Sequence, residues 1–285
     1  MTEQYYSVPE MVVVETSKFV KDEMVIFVGI GLGLLTASLA VKTHAPRATI
    51  LMEGGTVDSR FAHLPFSVCE PRSAYGCTVT TGLFDILGYD AGGGHADMAI
   101  LGAAQVDQYG NLNSSMGARQ SGEPFDVLHP GWRATGSGGA NDAASGLPFV
   151  VNIVHQDRRF PKVVDYLTSP GWMVKEFEKG EVKWVPRKEA GLTRGGPVAI
   201  VTTQCIMKFD EKTKEMYLDS VHPKVTVDEV KNNTSWDLKV AKEVKQTEPP
   251  TVEEIRMVRE ELDPFGIYLK REEFQKKAIE FLMAK

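Results

Sequence analysis

From Met24 to Gly55 the chain runs through an apolar stretch (MVIFV), a glycine turn (GIGLG), a second apolar stretch, a third (ATILM) and then Glu53-Gly54-Gly55. This order constrains the fold more than any other feature. Met24 to Val28 is short, apolar and bounded by glycine, which predicts a buried strand. Leu34 to Val41 is apolar on several sides and predicts a buried helix, and Ala48 to Met52 predicts the next strand. Strand, glycine turn, helix and strand make a βαβ unit, with parallel strands and a right-handed crossover. The fold class expected is therefore α/β.

Further elements extend this pattern. Ser7 and Glu10 have capping-box spacing, which predicts a helix to about Val20, with Pro9 tolerated in its first turn. Met98 to Ala103, Phe149 to Val154 and Val198 to Val201 read as buried strands. Ile206 to Phe209 and Glu215 to Leu218 flank Asp210-Glu211-Lys212 and predict a hairpin. Thr226 with Glu229 and Thr251 with Glu254 repeat the capping-box spacing. One domain is expected over 1–285, with a charged surface insertion at about 172–196 and a helical C-terminal part at about 226–285. A charged amphipathic helix from about Glu272 to Met283 is expected to close it.

The net charge of −6 argues against a nucleic-acid or anionic-membrane surface. No apolar run approaches the roughly 20 residues of a membrane span, and the first residues show no signal-peptide pattern. Cys69, Cys77 and Cys205 are too few and too irregularly spaced for a disulfide framework or a zinc site. They read as small buried thiols in a reducing, cytoplasmic setting. On that setting the sequons at Asn232 and Asn233 are coincidental. The six histidines show no metal spacing, so no metal is expected. His155, beside Gln156 and Asp157, reads as a hydrogen-bonded structural residue, and Arg158-Arg159 as either phosphate ligands or structural caps.

In open parallel sheets, ligands bind at the carboxyl ends of strands. The Gly29 to Gly33 turn and Glu53 both fall there. Gly-x-Gly followed by an acidic residue at the end of the second strand is also the dinucleotide fingerprint, but its third glycine position is Leu34 here. Taken alone, the turn fits an adenine dinucleotide, another phosphate-bearing ligand or tight packing. A second glycine loop, Gly136-Ser137-Gly138-Gly139-Ala140-Asn141, precedes an apolar strand. A carboxylate near amide-rich turns can attack a thioester carbonyl whose oxyanion is held by N–H groups.

Ordered blocks along most of the chain carry a family resemblance. They include Val28 to Leu32, Met52 to Gly55, Leu101 to Asp107, Tyr109 to Ser114, Thr135 to Asn141, His155 with Arg158-Arg159-Phe160, Thr168 to Trp172 and Lys208 to Leu218. On these the chain resembles the class I CoA transferases, most of all their glutaconate-type B subunits. The resemblance implies an open, largely parallel sheet with helices on both faces. It implies an A (alpha) subunit partner in a heterodimer or higher heteromer, acyl-CoA and carboxylic acid substrates, and no permanently bound cofactor. The family's glutamate nucleophile falls on Glu53. Gly29, Ile30, Gly31, Gly54, Gly136, Gly138, Gly139, Ala140 and Asn141 fall in oxyanion or CoA-binding loops, and Gln105 and Asn111 in a possible pocket. The implied reaction moves CoA to a carboxylic acid, glutaconate-like and dicarboxylic, through a glutamyl-CoA thioester. The alternative is a CoA-ester hydrolase, ring-opening hydrolase or decarboxylase of the same fold. Two departures stand out: the family's proline in the first turn is Gly33, and the serine after its glutamate is Gly54.

Overall fold

A computed structural model describes residues 5–61, 63–119, 123, 125–178 and 181–269. The chain divides into two compact units, Met1–Ile86 with Pro249–Lys285, and Leu87–Glu248. The expected helix at 272–283 lies outside the described residues.

The first unit opens with α1 (Val8–Ser17), whose Ser7–Glu10 capping box is formed in both directions. α1 is buried on all sides from Glu10 to Ser17. Its hydroxyls are satisfied within the helix: Thr16 donates to the Val12 carbonyl and Ser17 to that of Val14, both at 2.7 Å. β1 (Val25–Val28) and β2 (Thr49–Met52) are parallel, joined through α2 (Leu32–Lys42), which packs on α1. β3 (Thr56–Val57) turns back antiparallel to β2, and β4 (Val79–Thr80) pairs antiparallel with β3. Phe27, Leu34, Leu35, Leu39 and Met52 are fully buried here. The βαβ unit therefore follows from its apolar periodicity.

The second unit begins its sheet with β5 (Met98–Gly102). Two short ribbons follow, β6 (Gln105–Val106) with β7 (Leu112–Asn113), and β8 (Met116–Gly117) with β9 (Trp132–Arg133). α3 (Ala140–Gly146) leads into β10 (Pro148–Ile153), parallel to β5. β11 (Met173–Glu178) and β12 (Glu181–Pro186) form an antiparallel hairpin, so the expected charged insertion is a β-ribbon. β13 (Gly196–Thr202) is parallel to β10; β14 (Cys205–Phe209) and β15 (Met216–Val221) form the expected hairpin beside it. α4 (Val227–Asn232) has the capping box anticipated from Thr226 and Glu229.

The expectation of an all-helical part from 226 onward is corrected by β16 (Lys239–Gln246), which pairs parallel with β15. Its side chains are mostly exposed, so it lacks the apolar alternation that reveals a strand. Back in the first unit, α5 (Val252–Arg256) opens on the Thr251–Glu254 capping box. Arg259, just beyond, reaches the wholly buried Glu10 carboxylate at 2.7 Å. Burial alone would raise that carboxyl, yet hydrogen bonds from Arg259 and Ser7 hold it below the usual range. The cysteines also differ from expectation: Cys205 is buried, but Cys69 is exposed and Cys77 partly so. No helix among the described residues is long and apolar enough to cross a membrane.

Candidate active site

The parallel register aligns Val28 with Met52, so β1 and β2 end level. Gly29 and Glu53 therefore leave the sheet side by side, on strands about 4.8 Å apart. Glu53, Gly54 and Gly55 form the head of the β2–β3 hairpin, closed by the Gly55 N–H donating to the Met52 carbonyl at 3.0 Å. Both glycines are sterically required. A Cβ on Gly54 would lie 2.1 Å from the Val68 carbonyl oxygen, and one on Gly55 2.0 Å from that of Thr81. Gly55 also has φ +103°. Glu53 is thus the residue of the turn that carries a side chain, and it is half-buried.

On the neighbouring turn the glycines have a different cause. Gly31 caps α2 with φ +85°, a conformation that favours glycine. The conformational demand falls there, and Gly33 lies inside the first turn of α2. Gly29 has no positive φ, and a Cβ on it would meet nothing within 4 Å. The same is true of Gly31 for space, and Ile30 is exposed. α2 starts without a side-chain cap, so its first-turn N–H groups lack helical acceptors and favour an anion. A half-buried carboxylate and an open, amide-rich turn therefore share one end of the sheet.

In the second unit, Gly136 has φ +90°, open space at its Cβ position and an N–H that donates to the Ser114 carbonyl at 3.0 Å. The Ala140 N–H donates to the Ser137 carbonyl at 3.1 Å. These two amides are already engaged. Gly138 is exposed with φ +52°, and Gly139 is the buried N-cap of α3. Asn141 ties the loop down, its Nδ2 donating to the Thr168 carbonyl at 3.0 Å.

Gln105 and Asn111 take different places. Gln105 lines a cavity of about 440 Å³ with Ala104, Ala118, Arg119, Trp132, Arg158, Arg159 and Asp165. Its amide donates to Asp165 and accepts from Asn113, so it braces the wall. Asn111 is fully buried and is not among the residues lining the cavity that holds Gln105. It donates to both Asp107 carboxylate oxygens and to the Met173 carbonyl, and accepts from the Gly171 N–H. These bonds make Asn111 a junction between residues 107–111 and 171–173 of the second unit. Burial pushes the Asp107 carboxyl up to about 6 against these donors.

His155 is structural too. It stacks on Phe160 with ring centroids 4.4 Å apart, and its nitrogens face Thr202, Thr234 and the Val230 carbonyl. Burial pushes it down to about 4. An unfolded histidine titrates near 6.5, so the unfolded chain takes up the proton first as pH falls. This component of stability is complete above pH ~6.5 and lost down to pH ~4, about 3 kcal/mol in all. His155→Gln should therefore show a shallower loss than wild type in urea unfolding between pH 7 and 4.5. An identical slope would exclude the assignment. Sequence reasoning missed Arg187, Arg119 and Trp132, whose neighbours come from distant segments.

These features define a class: an α/β protein with a carboxylate and an amide-rich turn at the carboxyl ends of adjacent parallel strands. The model of the Coenzyme A transferase family matches residues 10–233. The chain is 37% identical over 271 residues to the B subunit of glutaconate CoA-transferase from Acidaminococcus fermentans, covering 93% of this chain and 96% of the relative. It is 34% identical over 255 residues to the B subunit of 3-oxoadipate CoA-transferase from Pseudomonas knackmussii, covering 89% and 92%. The crystal structure of the Acidaminococcus fermentans glutaconate enzyme superposes with a TM-score of 0.82, at 34% identity, over 94% of this chain and 98% of that one. The chain belongs to the coenzyme A transferase family.

Proposed function

We propose that the chain is the glutamate-bearing member of a heteromeric CoA transferase acting on a dicarboxylic acid. The observation that carries this reading is the position of Glu53, alone with a side chain at the hairpin head and level with the open Gly29–Gly31 turn. A Glu53 carboxylate oxygen attacks the donor thioester carbonyl; the C–S bond breaks and CoA thiolate leaves, giving an acyl-glutamyl anhydride. The thiolate then attacks the glutamyl carbonyl, the anhydride C–O bond breaks, and the free acid departs from a glutamyl-CoA thioester. A second carboxylate runs these steps in reverse and restores Glu53.

Each tetrahedral step develops an oxyanion, for which the main-chain amides of the Gly29–Gly31 turn, level with Glu53, are the donors. Binding of the CoA tail, remote from the thioester, supports the uphill anhydride steps. The chemistry runs on carboxylate, thioester and thiolate, so CoA enters as substrate and no resident cofactor is needed. Two relatives are named as B subunits, which supports an A-type partner chain. Glutaconate and 3-oxoadipate in their names are both dicarboxylates, which supports that substrate class.

The test is to trap the intermediate. The chain, its partner subunit and acyl-CoA are mixed, then treated with hydroxylamine or borohydride, and peptides are mapped by mass. The modification should fall on Glu53. An active complex with no modification, or with one elsewhere, sinks the reading. CoA release that needs no acceptor acid identifies a hydrolase instead.

A further inference from the structure

β5 and β10 run parallel, and the chain leaving each contributes to one cavity. Ala104 and Gln105 follow β5; Arg158 and Arg159 follow β10 in the short turn Asp157–Arg159. The cavity thus sits at the end of the sheet where open α/β folds bind ligands. Arg119 and Trp132 add a third guanidinium and an indole.

Among the described residues, the positive charge lining this cavity exceeds the negative. Among the described residues lining it, Asp165 is the one carboxylate, and it accepts from Gln105 Nε2 and the Ala118 N–H, both at 3.0 Å. Asp157, in the same turn as the arginines, instead accepts from the Ser235 hydroxyl at 2.6 Å. Among the described residues, Arg158 Nε donates to a neutral acceptor, Gln156 Oε1, at 3.3 Å. Arg159 Nε is buried and has no hydrogen-bond partner among the described residues. Burial, and then the adjacent charge of Arg158, push the Arg159 guanidinium down from its ordinary value. A buried donor left unpaired beside a like charge is costly without an anion to answer both.

We infer that Arg119, Arg158 and Arg159, with the Trp132 indole, form a subsite for the phosphates at the nucleotide end of the acyl-CoA substrate. This deepens the CoA-transfer reading and rests on it. Guanidinium forks match phosphate oxygens in pairs, and three of them exceed what one substrate carboxylate requires. An indole at the rim offers a face on which a purine can stack. The subsite also supplies the remote binding that the strained covalent steps draw on.

The experiment uses the full chain assembled with its partner, comparing wild type with Arg158→Gln, Arg159→Gln and the conservative Arg158→Lys. KM is measured for acyl-CoA, for the acyl-pantetheine thioester that lacks the nucleotide, and for the acceptor acid. Loss of one charge-assisted phosphate contact should raise the acyl-CoA KM about tenfold or more, with a smaller rise for the lysine variant. The pantetheine thioester has no phosphate to lose and should show no matching rise. Adenosine 3′,5′-diphosphate should bind wild type and bind the glutamine variants about tenfold more weakly. An unchanged acyl-CoA KM overturns the inference. A rise confined to the acceptor acid assigns the arginines to the acyl pocket, and failure to assemble assigns them to the partner interface; either also overturns it. If wild type turns over no acyl-CoA, the CoA-transfer reading falls. Diphosphate binding then decides the subsite alone: binding weakened by the arginine variants upholds it, and no binding ends it.

Discussion

Glu53→Gln should lower kcat for CoA transfer by roughly a thousandfold or more while leaving the fold and the assembly with the partner intact. Glutamine keeps the shape of the side chain and so disturbs neither the half-buried hairpin head nor its two obligatory glycines. It removes the one property the covalent cycle needs, a carboxylate oxygen able to form an anhydride. Steady-state transfer assays at saturating substrates check this, with circular dichroism confirming the fold. Glu53→Asp keeps the charge but withdraws it by one methylene, on a turn that cannot follow because Gly54 and Gly55 are packed against Val68 and Thr81. A displacement of about 1 Å from the attacking position is expected to cost on the order of a hundredfold. If Glu53→Gln kept more than a tenth of wild-type activity, the nucleophile would lie elsewhere and the chain would only complete its partner's site.

The second large effect concerns stability. Arg187→Met should cost roughly 3–5 kcal/mol of unfolding free energy. Arg187 is 3% exposed, although the surrounding sequence is charged and reads as surface. Its Nε donates to the Arg194 carbonyl at 2.8 Å, and one terminal nitrogen to those of Pro170 and Gly171. The other terminal nitrogen donates to the Ala144 and Ser145 carbonyls at 2.6 and 2.7 Å. Those last two carbonyls belong to α3, whose C-terminal end carries negative dipole charge and holds the cation without a carboxylate. Burial pushes Arg187 down to about 10, so it remains charged at neutral pH.

Methionine fills similar space but leaves five carbonyl acceptors without these donors, most of them in the interior. Arg187→Lys, with three donors and no planar fork, should recover only part of the loss. Urea unfolding of the three proteins measures the series. A loss below about 1 kcal/mol for the methionine variant would mean that water replaces the guanidinium. Because Gly139 begins the helix that Arg187 anchors, the glycine loop and this arginine are mechanically joined.

How much of this was legible in the chain follows from the range of the forces involved. The βαβ start is local: apolar runs, a glycine turn and an apolar helix within about one supersecondary unit. The capping boxes at Ser7, Thr226 and Thr251 span three residues each, and all are formed. The place of Glu53, directly after β2, was legible because a strand end fixes where the next residue must emerge. β16 was not, because its Lys-rich residues face solvent and it is held by backbone pairing with β15.

Asn111 and Arg187 are polar side chains whose burial depends on carbonyls tens of residues away. The cavity lined by Arg119, Arg158 and Arg159 likewise collects residues from five separate stretches. The sequence by itself determined the α/β pattern, the helix starts and the residue at the strand end, because those depend on neighbours along the chain. Only the tertiary structure decided which glycines are packed and which are open, and which arginines are answered by carbonyls and which face a cavity. A polar group's environment is set by whatever distant backbone folds against it.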